Sequence, residues 1–523
     1  MKQPSDPALG KSTSSRTSAL AVGATTLLAS SLFRQVLGLI TLIVIARLLS
    51  PTDFGIAAYF LIATAFLEMM QRQISMVLIR IDDVTQDHLS TVFTFQIILG
   101  IAAALLFYTT RPLFPLIGLP ELTQLAPVLC VLSLVIALRS PRFILFERKL
   151  RFIYAAGEET ISRVVYAIIA ISMALIWRDF WAIIAANFCA LTTRSIWTFS
   201  MAPMTMRLSL KRWHDCFSFS VWSTGAQIAQ FFSKNMPQLI IGATLGLSDA
   251  GVFRLGNRLS TLVTTQLFAP LQRVLYPGLA DISRNSDRQD EAFNRLNELL
   301  LAIVLPISVG MALVANYLVI VVIGWQWLGA AQVIWVLAPL KALETLQENV
   351  RSASYVEGST KLLFIRNFFL LILVCLLMMV GVQFNFMGAL AAAGAASTAA
   401  IFTTLLIAKR YGTRTFFGPI TVAWRSIVST LVMIAAVFFV DSAIGNQDQI
   451  GWAFNTLDDL PLLRYRFAVK VLIGAFTYTG THFLLWYLVK RPEGFESLVL
   501  KLAKKIRTRV LNPNAKKHGT MES

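Results

Sequence analysis

Leu48 to Ile56 reads LLSPTDFGI, and it closes one long apolar run at a helix-stopping Pro51 and opens a second at Gly55. A shift of 196 positions lays TLGLSDAGV, Thr244 to Val252, beneath it without a gap, pairing Asp53 with Asp249 and Gly55 with Gly251. Six apolar segments separate the two copies. The pattern is that of a membrane protein built from two tandem six-helix lobes, each opening with a long helix, a tight Asp/Gly turn and a second helix.

Composition points the same way. Of the 523 residues 56% are hydrophobic and 14% charged, where a soluble globule carries about a quarter charged residues. Mean hydropathy is +0.66. The net charge of +18 is spread between apolar runs instead of being gathered with aromatics on a soluble module, which argues against nucleic acid and for the positive-inside rule. Cys130, Cys189, Cys216 and Cys375 lie far apart with no CxxC spacing, so they read as small hydrophobes and no metal or cofactor is expected. The first apolar run is too long, and lacks the cleavage site, to be a signal peptide.

A spanning helix needs roughly 20 apolar residues. On that measure the chain divides into an N-terminal tail at 1–18, a first lobe at 19–206 with helices 1 to 6, the second at about Phe54 to Met70 and the fifth at about Thr160 to Ile176, a linker at 207–216 and a second lobe at 217–410 with helices 7 to 12, the ninth at about Leu296 to Ile323. Two further helices at 411–489 and a basic tail at 490–523 complete it. The expected fold is all-α and integral to the membrane, with about fourteen spans. Loops rich in Lys and Arg, such as Arg139 to Arg151, alternate with short or acidic ones such as Asp441 to Asp459, which places both termini in the cytoplasm and the lobes in parallel orientation.

Ionisable residues at membrane depth carry the functional signal, because each costs at least a few kcal/mol there and faces a cavity or a partner. Arg34 lies about fifteen residues from each end of the first expected span, roughly 20 Å from either surface. Lys234 is similarly deep in the seventh, and on the 196-residue offset it maps to Gly38, one turn from Arg34 on the same face. Arg254 and Arg258 share a face of the eighth span at i, i+4. Glu68 has Arg72 at i+4, an arrangement expected to form an ordinary ion pair. Lys341, Glu344 and Glu348 share a face of the tenth span, and with Glu68 are candidates for ion coupling or an inner gate. Pro237, a turn after Lys234, marks a hinge that frees a carbonyl near Ser233. Asp82-Asp83 and Asp458-Asp459 lack metal-ligand partners, and four histidines make no catalytic cluster, so an enzyme is not expected.

ARLLSPTDFGIAAYF, its echo LGLSDAGVFRLGNRLS and the basic loop ERKLRF together resemble the bacterial polysaccharide, or oligosaccharidyl-lipid, flippases, in the superfamily that also holds the multidrug and toxic-compound extruders. The resemblance runs from Thr17 to about Lys490. It implies transport of an undecaprenyl-pyrophosphate-linked oligosaccharide from the cytoplasmic to the periplasmic leaflet of the inner membrane, for surface polysaccharide assembly. It favours a monomer whose partners are that lipid-linked oligosaccharide, membrane lipids and the polysaccharide polymerase machinery.

Multidrug extruders would be expected to place a coupling carboxylate deep in the first helix, where this chain has Arg34 and no acid. Arg34, Lys234, Arg254 and Arg258 are accordingly expected to bind the head group in a cationic cavity between the lobes, since guanidinium and ammonium groups suit a pyrophosphate. Moving two negative charges outward would be favoured by roughly 4 to 5 kcal/mol per 100 mV. A multidrug or small-solute antiporter on the same fold is the first alternative. A membrane polymerase or ligase, which would expose a large periplasmic loop, is the second.

Overall fold

Ser50 is the N-cap of a helix that starts at Pro51, where proline's missing N–H costs nothing. The Asp53 amide donates to Ser50 Oγ at 3.2 Å, and Asp53 Oδ2 accepts from the Ser50 amide at 2.9 Å, closing a capping box. The corner therefore begins three residues before the expected Phe54.

The computed structural model describes residues 11–116, 118–149, 151–214, 221–262, 264, 289–356, 360–408, 418–443 and 460–490, without a few helical side chains such as those of 348–356. The tail before residue 11, Cys216, the eighth span beyond 264, Arg284, Arg288, Asp448, Asp458, Asp459 and the basic tail after Lys490 lie outside the described residues. Among the described residues there is helix and turn but no strand.

The main helices are α1 (Lys11–Leu48), α2 (Pro51–Arg80), α3 (Gln86–Thr110), α4 (Leu125–Ala137), α5 (Phe152–Trp177), α6 (Trp181–Met201) and α7 (Val221–Thr244). They continue with α8 (247–262), α9 (Gln289–Leu313), α10 (Leu328–Val356), α11 (Thr360–Gly381), α12 (Asn385–Ala408), α13 (Trp424–Ala443) and α14 (Leu460–Leu488). Among the described residues eight helical stretches are long and apolar enough to cross a bilayer, nine with one broken pair. One of these, 361–408, holds 48 residues, about 72 Å of helix and enough for two crossings of a roughly 30 Å core. It is interrupted at Val382–Phe384, where Asn385 takes φ of 70°.

Two compact units emerge. The first gathers Met1–Leu255, Val322–Trp327 and Ser359–Ala393. Within it α5 pairs with α6 and α1, α3 pairs with α4, and α7 pairs with α11. Phe60, Leu132 and Ile184 are buried at its core. In a bilayer that core is held by close packing more than by exclusion of water, so small residues matter. Gly100 shows this: a Cβ there would lie 2.5 Å from the Ala137 Cβ, and the carbonyl it leaves accessible accepts from Ser133 Oγ at 3.1 Å.

The second unit comprises Gly256–Val321, Leu328–Gly358 and Gly394–Ser523. In it α9 packs on α10 and α13, and α13 pairs with α14. The single span expected near 296–323 is broken here. α9 ends at Leu313, and the helical segment 315–323 turns away by 77°. No proline or glycine signals the break at Val314; tertiary packing accounts for it, since Tyr317 and Ile320 are buried against Leu463.

Candidate functional site

The site grows out of two helices that are longer than their apolar runs. α2 continues ten residues past the expected end at Met70, and α5 starts eight residues before the expected Thr160. Both extensions are polar on one face. They bring Gln71, Arg72 and Ser75, with Glu68 just before them, opposite Glu158 and Glu159, with Arg139 entering from the end of α4 and Arg194 from α6. A cavity of about 360 Å³ lies among them, wholly within the first unit.

Ion pairs order this space. Arg194 Nη1 meets Glu68 Oε1 at 2.6 Å and its Nε donates to Ser162 Oγ at 3.2 Å. Arg139 pairs with Glu158 and approaches Glu68 Oε1 at 3.8 Å. Arg72 pairs with Glu147 at 3.2 Å, and Arg34 with Glu159 at 2.9 Å. Four carboxylates thus face four guanidiniums, so the network carries no uncompensated charge into a medium of low dielectric. Next to it, Gln71 Nε2 donates to the Gln96 carbonyl at 3.0 Å and Gln96 Nε2 to Ser75 Oγ at 2.9 Å, while both amide oxygens are buried without a partner among the described residues.

The expected pairing of Glu68 with Arg72 is not made. The two side chains diverge, each to a residue distant in sequence, because the fold brings Arg194 within 2.6 Å of Glu68 and Glu147 within 3.2 Å of Arg72. Arg34 is held by Glu159, and also donates to Thr160 Oγ1 at 3.1 Å and Ser30 Oγ at 3.2 Å. Lys234 is exposed on α7, three residues before a buried Pro237 inside that helix. Arg254 on α8 reaches back to α7, donating to Gln238 Oε1 at 3.3 Å, and Arg258 is exposed one turn further on. In the second unit Lys341 Nζ grips Glu344 at 2.8 and 2.9 Å. Glu348 lies on the same helix, its side chain outside the described set.

Residues 44–332 match the model of a family described as polysaccharide biosynthesis protein, more than half of the chain. The chain belongs to this family. It is 28% identical over 313 residues to the succinoglycan biosynthesis transport protein ExoT of Rhizobium meliloti (strain 1021), covering 58% of this chain and 63% of the relative. It is 24% identical over 302 residues to the teichuronic acid biosynthesis protein TuaB of Bacillus subtilis (strain 168), covering 55% and 60%. The chain therefore spans less than two thirds of the length of these relatives. Among solved structures, the lipid II flippase MurJ in an inward closed conformation shares the fold with a TM-score of 0.70 at 13% identity, over 89% of this chain and 100% of that one. A multidrug resistance MATE family transporter of the MOP superfamily, inward-facing, follows at 0.57 and 14%, over 74% and 98%.

Several residues of the ion-pair network escape a reading by apolar runs. Arg139 and Glu147 fall in a stretch that reads as basic loop, and Glu158 and Glu159 precede the expected helix. A usable signal does exist: Glu158, Ser162 and Arg194 fall at polar positions that recur with helical spacing or sit alone inside an apolar span.

Proposed function

We propose that this protein is a flippase that carries undecaprenyl-pyrophosphate-linked oligosaccharide repeat units across the bacterial inner membrane by alternating access, for surface polysaccharide assembly. One observation carries the reading: a chain of the polysaccharide biosynthesis family has the fold of a lipid II flippase along nearly its whole length. The relatives' names, which refer to succinoglycan transport and teichuronic acid biosynthesis, support the class of cargo and differ in the polymer. The protein acts as a monomer with both termini in the cytoplasm, upstream of a polymerase.

Arg34, Lys234, Arg254 and Arg258 are the proposed head-group cations, with Pro237 as a hinge. Glu68, Lys341, Glu344 and Glu348 are the candidates for coupling or an inner gate. Glu159 refines the role of Arg34: a diphosphate has to compete for a guanidinium that already has a carboxylate, so the residue is neutralised when the substrate is away. The test is export. Arg34→Ala and Lys234→Ala, made at normal levels, should each cut surface polymer and leave a pyrophosphate-linked oligosaccharide on the cytoplasmic side. Full export by the double variant would sink the assignment of these residues, and unchanged polymer after deletion of the gene would sink the flippase reading.

A further inference from the structure

α1 and α5 lie side by side, and their contact stacks two charged levels one helical turn apart. At the first level Arg34 meets Glu159. At the second, four residues on in each helix, Arg163 lays its guanidinium on Gly38: a Cβ at position 38 would stand 2.2 Å from Arg163 Nη2. Any side chain at 38 would lift the guanidinium off, so the glycine is a seat for it. Arg163 is half-buried, eleven residues from the start of α5 and fourteen from its end, about 16 and 21 Å from the two helix termini. Its Cζ lies 5.4 Å from the Tyr166 ring centroid, and it pairs with no carboxylate among the described residues. Enclosing a guanidinium without a counter-ion is expensive, and a fork of this kind matches phosphate oxygens.

The repeat supplies an independent indication. Position 38 corresponds to 234 on the 196-residue offset. Where the second copy grows a lysine from its helix, the first copy has a glycine and admits an arginine from the neighbouring helix. Both copies thus carry a cation at the same level.

On the flippase reading, we propose that Arg163, seated on Gly38, is the second guanidinium of a diphosphate site whose first is Arg34, and that Glu159 is the resident anion the diphosphate replaces on Arg34. The side-chain exposures suit that exchange: Arg34 is 14% exposed and Glu159 49%, so the displaced carboxylate passes to water while the guanidinium stays enclosed.

The test uses the full-length protein in phosphatidylcholine nanodiscs, with affinities for undecaprenyl pyrophosphate, undecaprenyl phosphate and undecaprenol read by native mass spectrometry. Wild type should prefer the diphosphate. Arg163→Ala should weaken diphosphate binding by about tenfold to hundredfold and leave undecaprenol unchanged. Gly38→Leu, which blocks the seat, should do the same, and Arg163→Lys should recover part of the loss. If Arg163→Ala fails to fold, Arg163→Lys decides alone, because it keeps the charge, loses the fork and should narrow the preference for diphosphate over monophosphate several-fold. Wild type binding the diphosphate with these variants unchanged would overturn this inference and spare the flippase reading. Wild type ignoring the diphosphate would overturn both. Phosphatidylglycerol added to the nanodiscs and competing as well as the diphosphate would assign the anion to ordinary lipid headgroups and overturn the site.

Discussion

Gly55 and Gly251 join the two corners reciprocally. A Cβ on Gly55 would stand 1.9 Å from the Leu247 carbonyl oxygen, and one on Gly251 would stand 1.8 Å from that of Pro51. Pro51 and Leu247 are 196 positions apart, as are the glycines, so each copy of the repeat presses its glycine on the other's helix start. Both obstructing atoms are backbone, so neither can swing aside. Gly55→Ala and Gly251→Ala should each cost about 1–3 kcal/mol, a drop of several degrees in melting temperature in detergent. Gly480→Ala, on α14 with nothing within 4 Å of its Cβ, should be neutral or stabilising by up to about 1 kcal/mol. Wild-type melting of Gly55→Ala would show that the corners do not meet this closely.

The Glu68–Arg194 pair is a quarter exposed on both sides and shares Arg139 with Glu158. Removing one partner leaves a charge in a poor dielectric, so Arg194→Ala and Glu68→Ala should each cost about 2–4 kcal/mol, with their double variant well short of the sum. A double-mutant cycle on thermal unfolding measures the coupling. Arg72→Ala, whose side chain is 54% exposed, should cost under about 1 kcal/mol.

Apolar runs and the Asp/Gly echo were enough to read the helical membrane architecture and the matched corners, because both are local in sequence. Long-range side-chain pairing was not legible. Glu68 has a perfectly spaced Arg72 and nevertheless turns to Arg194, since the choice depends on which helix lies opposite. Arg34 was legible as a deep cation, its partner Glu159 was not, because the apolar run that marks α5 starts two turns after the helix does. The break at Val314 was hidden in the same way, an apolar run looking identical whether straight or bent.

Asp179 lies in the turn between α5 and α6. Burial pushes its carboxyl above the ordinary range, the Phe180 amide pulls it back, and the Asp53 carboxylate beside it pushes it up again. A raised folded-state pKa favours the protonated form, so the stabilisation is full below the unfolded value of 3.8 and fades as pH rises through the folded value. Asp179→Asn, which keeps an acceptor for the Phe180 amide, should raise the melting temperature by about 1–2 °C at pH 7 and by nothing near pH 4. A gain of equal size at both pH values would rule out relief of carboxylate repulsion.

Lys470 pairs a buried charge with a part-solvated one. It lies on α14, 4% exposed, paired with Asp441 of α13 and with its Nζ 4.3 Å from the centroid of the Tyr317 ring. The run from Asp441 reads as the start of an acidic outer loop, yet Asp441 occupies the last turn of α13 and serves as a counter-ion. The two partners differ in what their loss leaves behind. Asp441→Ala strands an ammonium under an aromatic face, whereas Lys470→Met leaves a carboxylate that is 36% exposed and can hydrate. Asp441→Ala should therefore cost about 3–5 kcal/mol, Lys470→Met about 1–2 kcal/mol, and the double variant with Asp441→Leu close to zero. Thermal unfolding of the three variants checks the order, and a costlier Lys470→Met would mean that the carboxylate, not the ammonium, is the buried member of the pair.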